Sequence, residues 1–187
     1  FMDPVVLIHA LPWPLEFIGG AQMPHAPQWL TFFPRAWGTF QVWRGEVSRD
    51  AIYMAQRILN ENGILGVFPE GGSWAEQLRP ARPGVGLLAS CTRARILPVS
   101  LENTQYIFKP LEKGKRTVVK IKIGEPFGPF YHSDRGLRDR QQLDEIGHEI
   151  MRHIGALLPD AQRGIYAEDA ATREAAKAAA EFPWDPK

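Results

Sequence analysis

The stretch Ile64 to Ser73, which reads I-L-G-V-F-P-E-G-G-S, contains a carboxylate that a sheet can present for chemistry. Four apolar or β-branched side chains precede Pro69, and such a short run bounded by turn residues predicts a buried strand. Pro69 cannot donate to a neighbouring strand, so Glu70 should emerge at the carboxyl end, where open α/β sheets bind ligands. The alternative is an ordinary turn, because Pro and Gly favour turns for local reasons.

The composition predicts an ordinary globular protein. The chain has 187 residues, of which 44% are hydrophobic and 23% charged, enough for one domain with a single core. The formal net charge is +1 and no nucleic-acid-binding motif is visible, so nucleic acid is not an expected partner. Cys91 is the single cysteine, which excludes an internal disulfide and a cysteine-built metal site. No apolar run reaches the length of a transmembrane helix.

The elements before Glu70 predict a strand–helix–strand unit. Residues 39–43 form a predicted strand, Ser48 is a good N-cap, residues 49–62 form an amphipathic helix, and Gly63 is a good C′ residue. This connection is long enough to join parallel strands. The predicted fold class is therefore α/β: a single domain with a mostly parallel central sheet flanked by helices.

Further elements complete the prediction. The other predicted helices cover residues 4–11, 28–37, 84–93, 139–158 and 167–181, and the other strands cover residues 15–18, 95–101 and 117–123. The first helix begins with Asp3 as N-cap. In the helix over 84–93, the predicted inward residues are Val85, Leu87, Leu88 and Cys91. Lys120 and Lys122 share one face of a strand, which is expected to be solvated.

Residues 24–43 are rich in aromatic side chains, and two interpretations remain open. One is core packing with a few surface aromatics. The other is a surface that rests in the membrane interface, where Trp is enriched.

Four short blocks resemble the glycerolipid acyltransferase family, which includes lysophosphatidic acid and glycerol-3-phosphate acyltransferases. Asp3 matches the end of the family's N-H-x-x-x-x-D block, and Arg44 ends G-T-F-Q-V-W-R. Glu70 lies in F-P-E-G-G-S, where the family has F-P-E-G-T-R-S, and Pro98 lies in I-L-P-V-S. The resemblance covers about residues 1–103. The F-P-E-G block is the most specific.

The resemblance implies transfer of an acyl group from coenzyme A or acyl carrier protein to a glycerol phosphate or lysophospholipid hydroxyl. The family's first-block His removes the hydroxyl proton, and Asp3 would orient that His. Arg44 would hold the acceptor phosphate, because a guanidinium matches phosphate oxygens. Neither a metal nor a redox cofactor is implied.

The resemblance assigns Glu70, Gly71 and Gly72 to acceptor binding, and Pro98 to shaping the acyl site. Glu70 would accept hydrogen bonds from the acceptor or hold Arg44 in place, and Gly71 would let the backbone approach the acceptor closely. Residues 1–158 would form the acyltransferase-like domain, and residues 159–187 a peripheral helix and tail. A lipid substrate implies a peripheral protein at the cytoplasmic face of a membrane. The acyl chain, the donor, the acceptor headgroup and the oligomeric state are not identified.

The first departure from the family concerns the catalytic base. The family His lies five residues before the Asp, so it would lie upstream of Phe1. We therefore expect a domain truncated at its N-terminus and inactive without that His. His9, within an apolar helix, and His25, between prolines, are poor replacements.

The second departure is the missing arginine of the third block, where this chain has G-G-S-W. Arg79 or Arg82 is expected to supply the positive charge. Arg82 matches a basic position that the family often has just before a helix, whose N-terminus would favour an anion. The alternative is that both arginines are solvated loop residues, and this interpretation is favoured for Arg79.

Two other functions compete with acyl transfer. A non-catalytic homologue would keep the phosphate pocket and bind lipid or a partner at the membrane surface. An unrelated α/β hydrolase or phosphate-binding domain ranks last, because no G-x-S-x-G, P-loop or G-x-G-x-x-G motif is present.

Overall fold

The computed structural model describes six stretches of the chain. These are residues 2–20, 40–42, 49–71, 77–107, 114–132 and 139–180. The predicted helix over 28–37, the predicted N-cap Ser48 and the undecided aromatic residues of 24–39 lie outside them. So do the site residues Arg44 and Gly72.

Three parallel strands form the sheet that precedes Glu70. Strand β1 (Leu15–Gly20) lies between β2 (Phe40–Val42) and β3 (Ile64–Val67) and is parallel to both. The three predicted strands are confirmed, but the prediction that β3 is buried was wrong: none of its residues is buried, and Ile64 is 40% exposed. Within the described ranges β3 lies at the edge of the three strands. Because all three run in the same direction, the carboxyl end of β3 faces the same edge of the sheet as those of β1 and β2. Glu70 therefore leaves the sheet at the edge predicted to bind ligand.

Helix α1 (Asp3–Ala10) confirms the first predicted helix, but its N-cap is Met2 and not Asp3. Asp3 lies in the first turn, with a proline next to it. Its carboxylate accepts a hydrogen bond from the Thr104 hydroxyl at 2.7 Å. The predicted capping role was wrong because Met2 already has a helical backbone conformation, and the side chain of Asp3 bonds across the fold instead.

Helix α2 (Arg49–Asn60) leads into β3 and ends two residues earlier than predicted. Asn62 adopts the left-handed conformation, with φ of 60°. The N–H of Asn62 donates to Leu59 at 3.2 Å, and the N–H of Gly63 donates to Ile58 at 2.8 Å. This is a Schellman ending with Asn62, not Gly63, at C′. The prediction was wrong by one residue because Asn also tolerates this conformation.

Helices α3 (Gly84–Thr92) and α4 (Arg140–Ala156) confirm two predictions and pack closely together. A Cβ on Gly86 would lie 1.9 Å from the carbonyl oxygen of Leu143, so only glycine fits there. The buried residues of α3 are accordingly the small ones, Gly86, Ala89 and Ser90. Of the predicted inward residues, Val85 is confirmed, since it packs against the buried cluster of Ala89, Ile146 and Ile150. Leu87, Leu88 and Cys91 are half-buried.

A separate antiparallel pair joins β4 (Val99–Glu102) and β5 (Lys120–Ile123). The predicted 95–101 strand begins only after Pro98. Lys120 and Lys122 are both exposed, so the predicted solvated face is confirmed. Lys122 also forms an ion pair with Glu102, 2.8 Å away, because Glu102 is only 7% exposed and needs a cation beside it.

The fold class is confirmed as a mixture of helices and strands. Within the described ranges, the strands form one parallel group of three and one antiparallel pair. A single, mostly parallel central sheet therefore stays a prediction, as does the division of the chain at residue 158. No helix in the described part of the chain is long and apolar enough to cross a bilayer.

The residues after α4 fold back onto the loop that follows Glu70. Leu78 packs in a buried cluster with Met151 and Leu158, and its N–H donates to the carbonyl of Gln162 at 2.8 Å. Gly164 lies so close that a Cβ there would be 2.0 Å from the carbonyl oxygen of Leu78. We call residues 158–166 the return segment. The predicted C-terminal helix follows it as α5 (Ala170–Ala180).

Candidate active site

Glu70 occupies a tight turn at the carboxyl end of β3. Gly71 has φ of +64°, which favours glycine, and its N–H donates to the carbonyl of Phe68 at 3.1 Å. Glu70 is therefore part of a turn, which is the alternative that the sequence left open. The turn directs its carboxylate toward the backbone N–H of Arg79, and Glu70 is half-buried there.

The surroundings of Glu70 place its titration near neutral pH. Burial is the largest effect and raises the pKa of Glu70 from 4.5 to about 7. The backbone N–H of Arg79 donates to its Oε2 at 3.1 Å, and this bond lowers the pKa, as does the Arg79 charge. The negative charge of Asp3 raises it. Glu70 therefore exchanges a proton at the pH at which enzymes usually work.

Asp3 and Glu70 come from distant blocks but share one electrostatic environment. Asp3 approaches on the first turn of α1, and the hydroxyl of Thr104 fixes one of its oxygens. Glu70 approaches from the end of β3. The fold therefore brings together the carboxylates of the first and third blocks.

Arg79 is buried beside Glu70, contrary to the prediction of a solvated loop residue. Its exposed fraction is only 1%. The prediction was wrong because Arg79 follows Leu78, which the return segment holds in a buried cluster. The local sequence L-R-P-A shows no periodicity that would reveal this burial.

Arg82 packs against the same turn. Its N–H donates to the carbonyl of Pro69 at 2.9 Å, and a Cβ on Gly71 would lie 2.9 Å from its Cγ. Arg82 also borders a cavity of about 220 Å³. The residues that line this cavity are Ala81, Arg82, Pro83, Leu143, Asp144, Gly147 and His148. Arg82 therefore contacts both the Glu70 turn and an open space.

Pro98 lies elsewhere in the described structure, buried at the start of β4. Its carbonyl accepts a hydrogen bond from the N–H of Gly124 at 3.0 Å. The structure thus places Pro98 at the antiparallel pair.

Tyr166 and His148 are additional residues that the sequence did not single out. The hydroxyl of Tyr166 and Nδ1 of His148 form a hydrogen bond of 2.8 Å. Burial raises the pKa of Tyr166, and the charge of Glu70 adds to this increase. The return segment therefore contributes a polar side chain near Glu70. No local sequence signal marks Tyr166, because its position depends on contacts between distant segments.

This arrangement suits proton exchange and the binding of a hydroxylated or anionic ligand. Glu70 accepts hydrogen bonds when ionised and donates one when neutral. Arg79 provides a positive charge beside it, and Arg82 provides one at the cavity. Within the described ranges, no group of three or more His, Cys, Asp or Glu side chains is arranged to hold a metal ion.

Comparison with known proteins identifies the family. A family model described as Acyltransferase matches residues 1–102, more than half of the chain. A comparison with curated proteins found no match. Among solved structures, the chain is similar to the 1-acyl-sn-glycerophosphate (LPA) acyltransferase PlsC from Thermotoga maritima, with 25% identity and a TM-score of 0.41. That match covers 72% of this chain and 55% of PlsC, so the chain spans about half of that enzyme. On the family match, the chain belongs to the acyltransferase family.

Proposed function

We propose that this protein transfers an acyl group from coenzyme A or acyl carrier protein to the hydroxyl of a glycerol phosphate or lysophospholipid. One observation supports the proposal most strongly. In a chain of the acyltransferase family, the carboxylates of Asp3 and Glu70 lie close enough for their charges to interact. These are the acidic residues of the first and third blocks.

The proposed reaction begins with the acceptor hydroxyl. A histidine of the first block, expected upstream of residue 1, removes the hydroxyl proton while the oxygen attacks the thioester carbonyl. The thiolate then leaves and takes up the proton. Asp3 orients the histidine, and the hydrogen bond from Thr104 holds Asp3 in place. The acyl group thus ends on the acceptor oxygen, and the proton ends on the released thiol.

The acceptor is proposed to bind around the Glu70 turn. Glu70 binds acceptor hydroxyl groups, and Gly71 and Gly72 allow the backbone to approach them. Arg82 supports this role because it borders both Gly71 and a cavity. Arg44 is proposed to hold the phosphate.

Two further parts of the proposal concern the acyl chain and the membrane. Pro98 is proposed to shape the acyl site. Because Pro98 is buried just before β4, it would do so by packing. A lipid acceptor requires access to a membrane, so we propose peripheral binding at its cytoplasmic face. The parallel strands β1 to β3 are proposed to be part of a larger, mostly parallel sheet.

Acyl transfer is the direct test. The chain is produced with its native upstream residues and incubated with labelled acyl-CoA or acyl carrier protein and either glycerol 3-phosphate or lysophosphatidic acid. We expect an acylated product with at least one pair, and loss of turnover when the upstream histidine is replaced by Ala. Lysolipid binding without turnover for every pair would contradict acyl transfer and favour the non-catalytic homologue.

A further inference from the structure

Arg79 is the most deeply buried charged residue in the described part of the chain. Its side chain is 1% exposed, against 7% for Glu102. Burial of a guanidinium is unfavourable unless charges and hydrogen bonds nearby compensate, and Arg does not lose its proton in proteins. A positive charge is therefore held permanently inside the fold.

Glu70 is directly bonded to this residue. The backbone N–H of Arg79 donates to Oε2 of Glu70 at 3.1 Å, and the Arg79 charge also acts on the carboxylate. One residue thus supplies Glu70 with both a directional hydrogen bond and an opposite charge. Both interactions favour the ionised form of Glu70.

The return segment fixes the position of Arg79. Leu78 bonds to Gln162 through its N–H, and its carbonyl is pressed against Gly164. Its side chain lies in the cluster with Met151 and Leu158. These contacts hold the backbone that donates to Glu70. These four residues lie beyond residue 102, where the family match ends.

We propose that Arg79 is a positioning residue for Glu70, and that it replaces the arginine absent from this chain's third block. The return segment is then part of the active-site support. Arg79 holds Glu70 in one orientation and keeps it available as a hydrogen-bond acceptor for the acceptor hydroxyls. This last role rests on the proposed function, whereas the coupling between the two residues does not.

The test is the titration of the Glu70 carboxyl, followed by carbon-13 NMR in the 187-residue chain without substrate. Arg79→Met removes the charge and keeps the backbone N–H, so we expect the pKa of Glu70 to rise by about one unit. Arg79→Lys should restore most of the difference. The matched control is Arg116→Met, at an exposed position, which should leave the titration unchanged. The same Glu70 titration in wild type and Arg79→Met would overturn the proposal.

A second measurement applies if Arg79→Met does not fold. Glu70→Gln, Arg79→Gln and the double variant form a cycle that compares unfolding equilibrium constants in urea at pH 8, because Arg79→Gln removes the charge and keeps a polar side chain. Coupled residues should depart from additivity by at least about threefold. Additive effects would overturn the proposal.

Kinetics separate this inference from the proposed function. In a chain that transfers acyl groups, Arg79→Met should raise the KM for the acceptor about tenfold, leave the KM for the donor unchanged, and be rescued by Arg79→Lys. If no acyl transfer is found but the titrations are coupled, the proposed function fails while the coupling of Arg79 to Glu70 stands. If acyl transfer is found but the titrations are uncoupled, only the inference fails.

Discussion

Arg79 and Arg82 lie three residues apart in R-P-A-R-P, yet they occupy opposite environments. Arg79 is 1% exposed and bonded to Glu70, whereas Arg82 is partly exposed and borders a cavity. Both precede a proline, so their local sequences do not explain the difference. Contacts with residues far away in the chain explain it.

The two arginines are held by different parts of the molecule. Arg82 bonds to Pro69 and packs on Gly71, both within the block that marks the family. Arg79 is held through Leu78 by the return segment. The return segment lies outside the residues that the family model matches. The site therefore combines Arg82, which is held by a motif visible in the sequence, with Arg79, whose burial only the tertiary structure reveals.

The largest expected effect comes from removing the support of Arg79 with Gly164→Ala. Gly164 has φ of +60°, and a Cβ there would lie 2.0 Å from the carbonyl oxygen of Leu78, so buried backbone must shift. We expect a loss of about 4 kcal/mol in the free energy of unfolding, measured in urea. The control is Gly114→Ala, because Gly114 has φ of +67° and no atom near its Cβ position. That variant should lose only about 1 kcal/mol from backbone strain. Equal losses would show that the return segment does not press on Leu78.

The next effect is a pH dependence of stability caused by Glu70. Its pKa of about 7 in the folded protein exceeds its ordinary 4.5, so the folded state binds more protons between these values. Stability should therefore fall as the pH rises from 4.5 through 7, by about 3 kcal/mol. Glu70→Gln should remove this part of the slope in urea unfolding series at pH 5 and pH 8, whereas Glu125→Gln, at an exposed position, should not. A slope unchanged by Glu70→Gln would contradict the burial of its carboxylate.

Arg82→Gln should affect binding more than folding, in contrast to changes around Arg79. Loss of a charge-assisted contact should raise the KM for a phosphorylated acceptor about tenfold. The free energy of unfolding should change by no more than about 0.5 kcal/mol, because Arg82 is partly exposed. Steady-state kinetics and urea unfolding check the two parts, with Arg116→Gln as the control for charge removal. An unchanged acceptor KM would exclude Arg82 from the acceptor site.

The smallest effect is expected for Tyr166→Phe, which removes the hydrogen bond to His148 and keeps the ring. We expect a loss of about 1 kcal/mol in the free energy of unfolding. The His148→Gln variant should lose a similar amount, and the double variant should lose less than the sum of the two. Strict additivity would mean that this bond contributes nothing to holding the return segment.

The sequence predicted those parts of the fold that local patterns determine. Periodicity located β3, α2 and α4, and Pro69 marked the end of the strand that delivers Glu70. These features depend on neighbouring residues, so a single sequence contains the information. The F-P-E-G block that contains Glu70 was predictable for the same reason, because its residues are adjacent in the sequence.

The remaining features depend on contacts between distant segments. The prediction for α3 missed its small buried residues, because the close approach of Leu143 to Gly86 is a property of two helices. Arg79 was predicted to be solvated because nothing near it in sequence shows that Leu78 is buried by the return segment. Charged residues are rarely buried, so this prediction followed the general rule and missed a site where the rule fails.

The most direct test of the account is the acceptor dependence of acyl transfer in Glu70→Gln, using the chain with its native upstream residues. If Glu70 binds the acceptor, kcat/KM for the acceptor should fall about 100-fold, because a charged hydrogen-bond partner is lost. The KM for the acyl donor should stay unchanged. Wild-type kinetics toward the acceptor in Glu70→Gln would contradict the account and leave Glu70 as a residue of the turn alone.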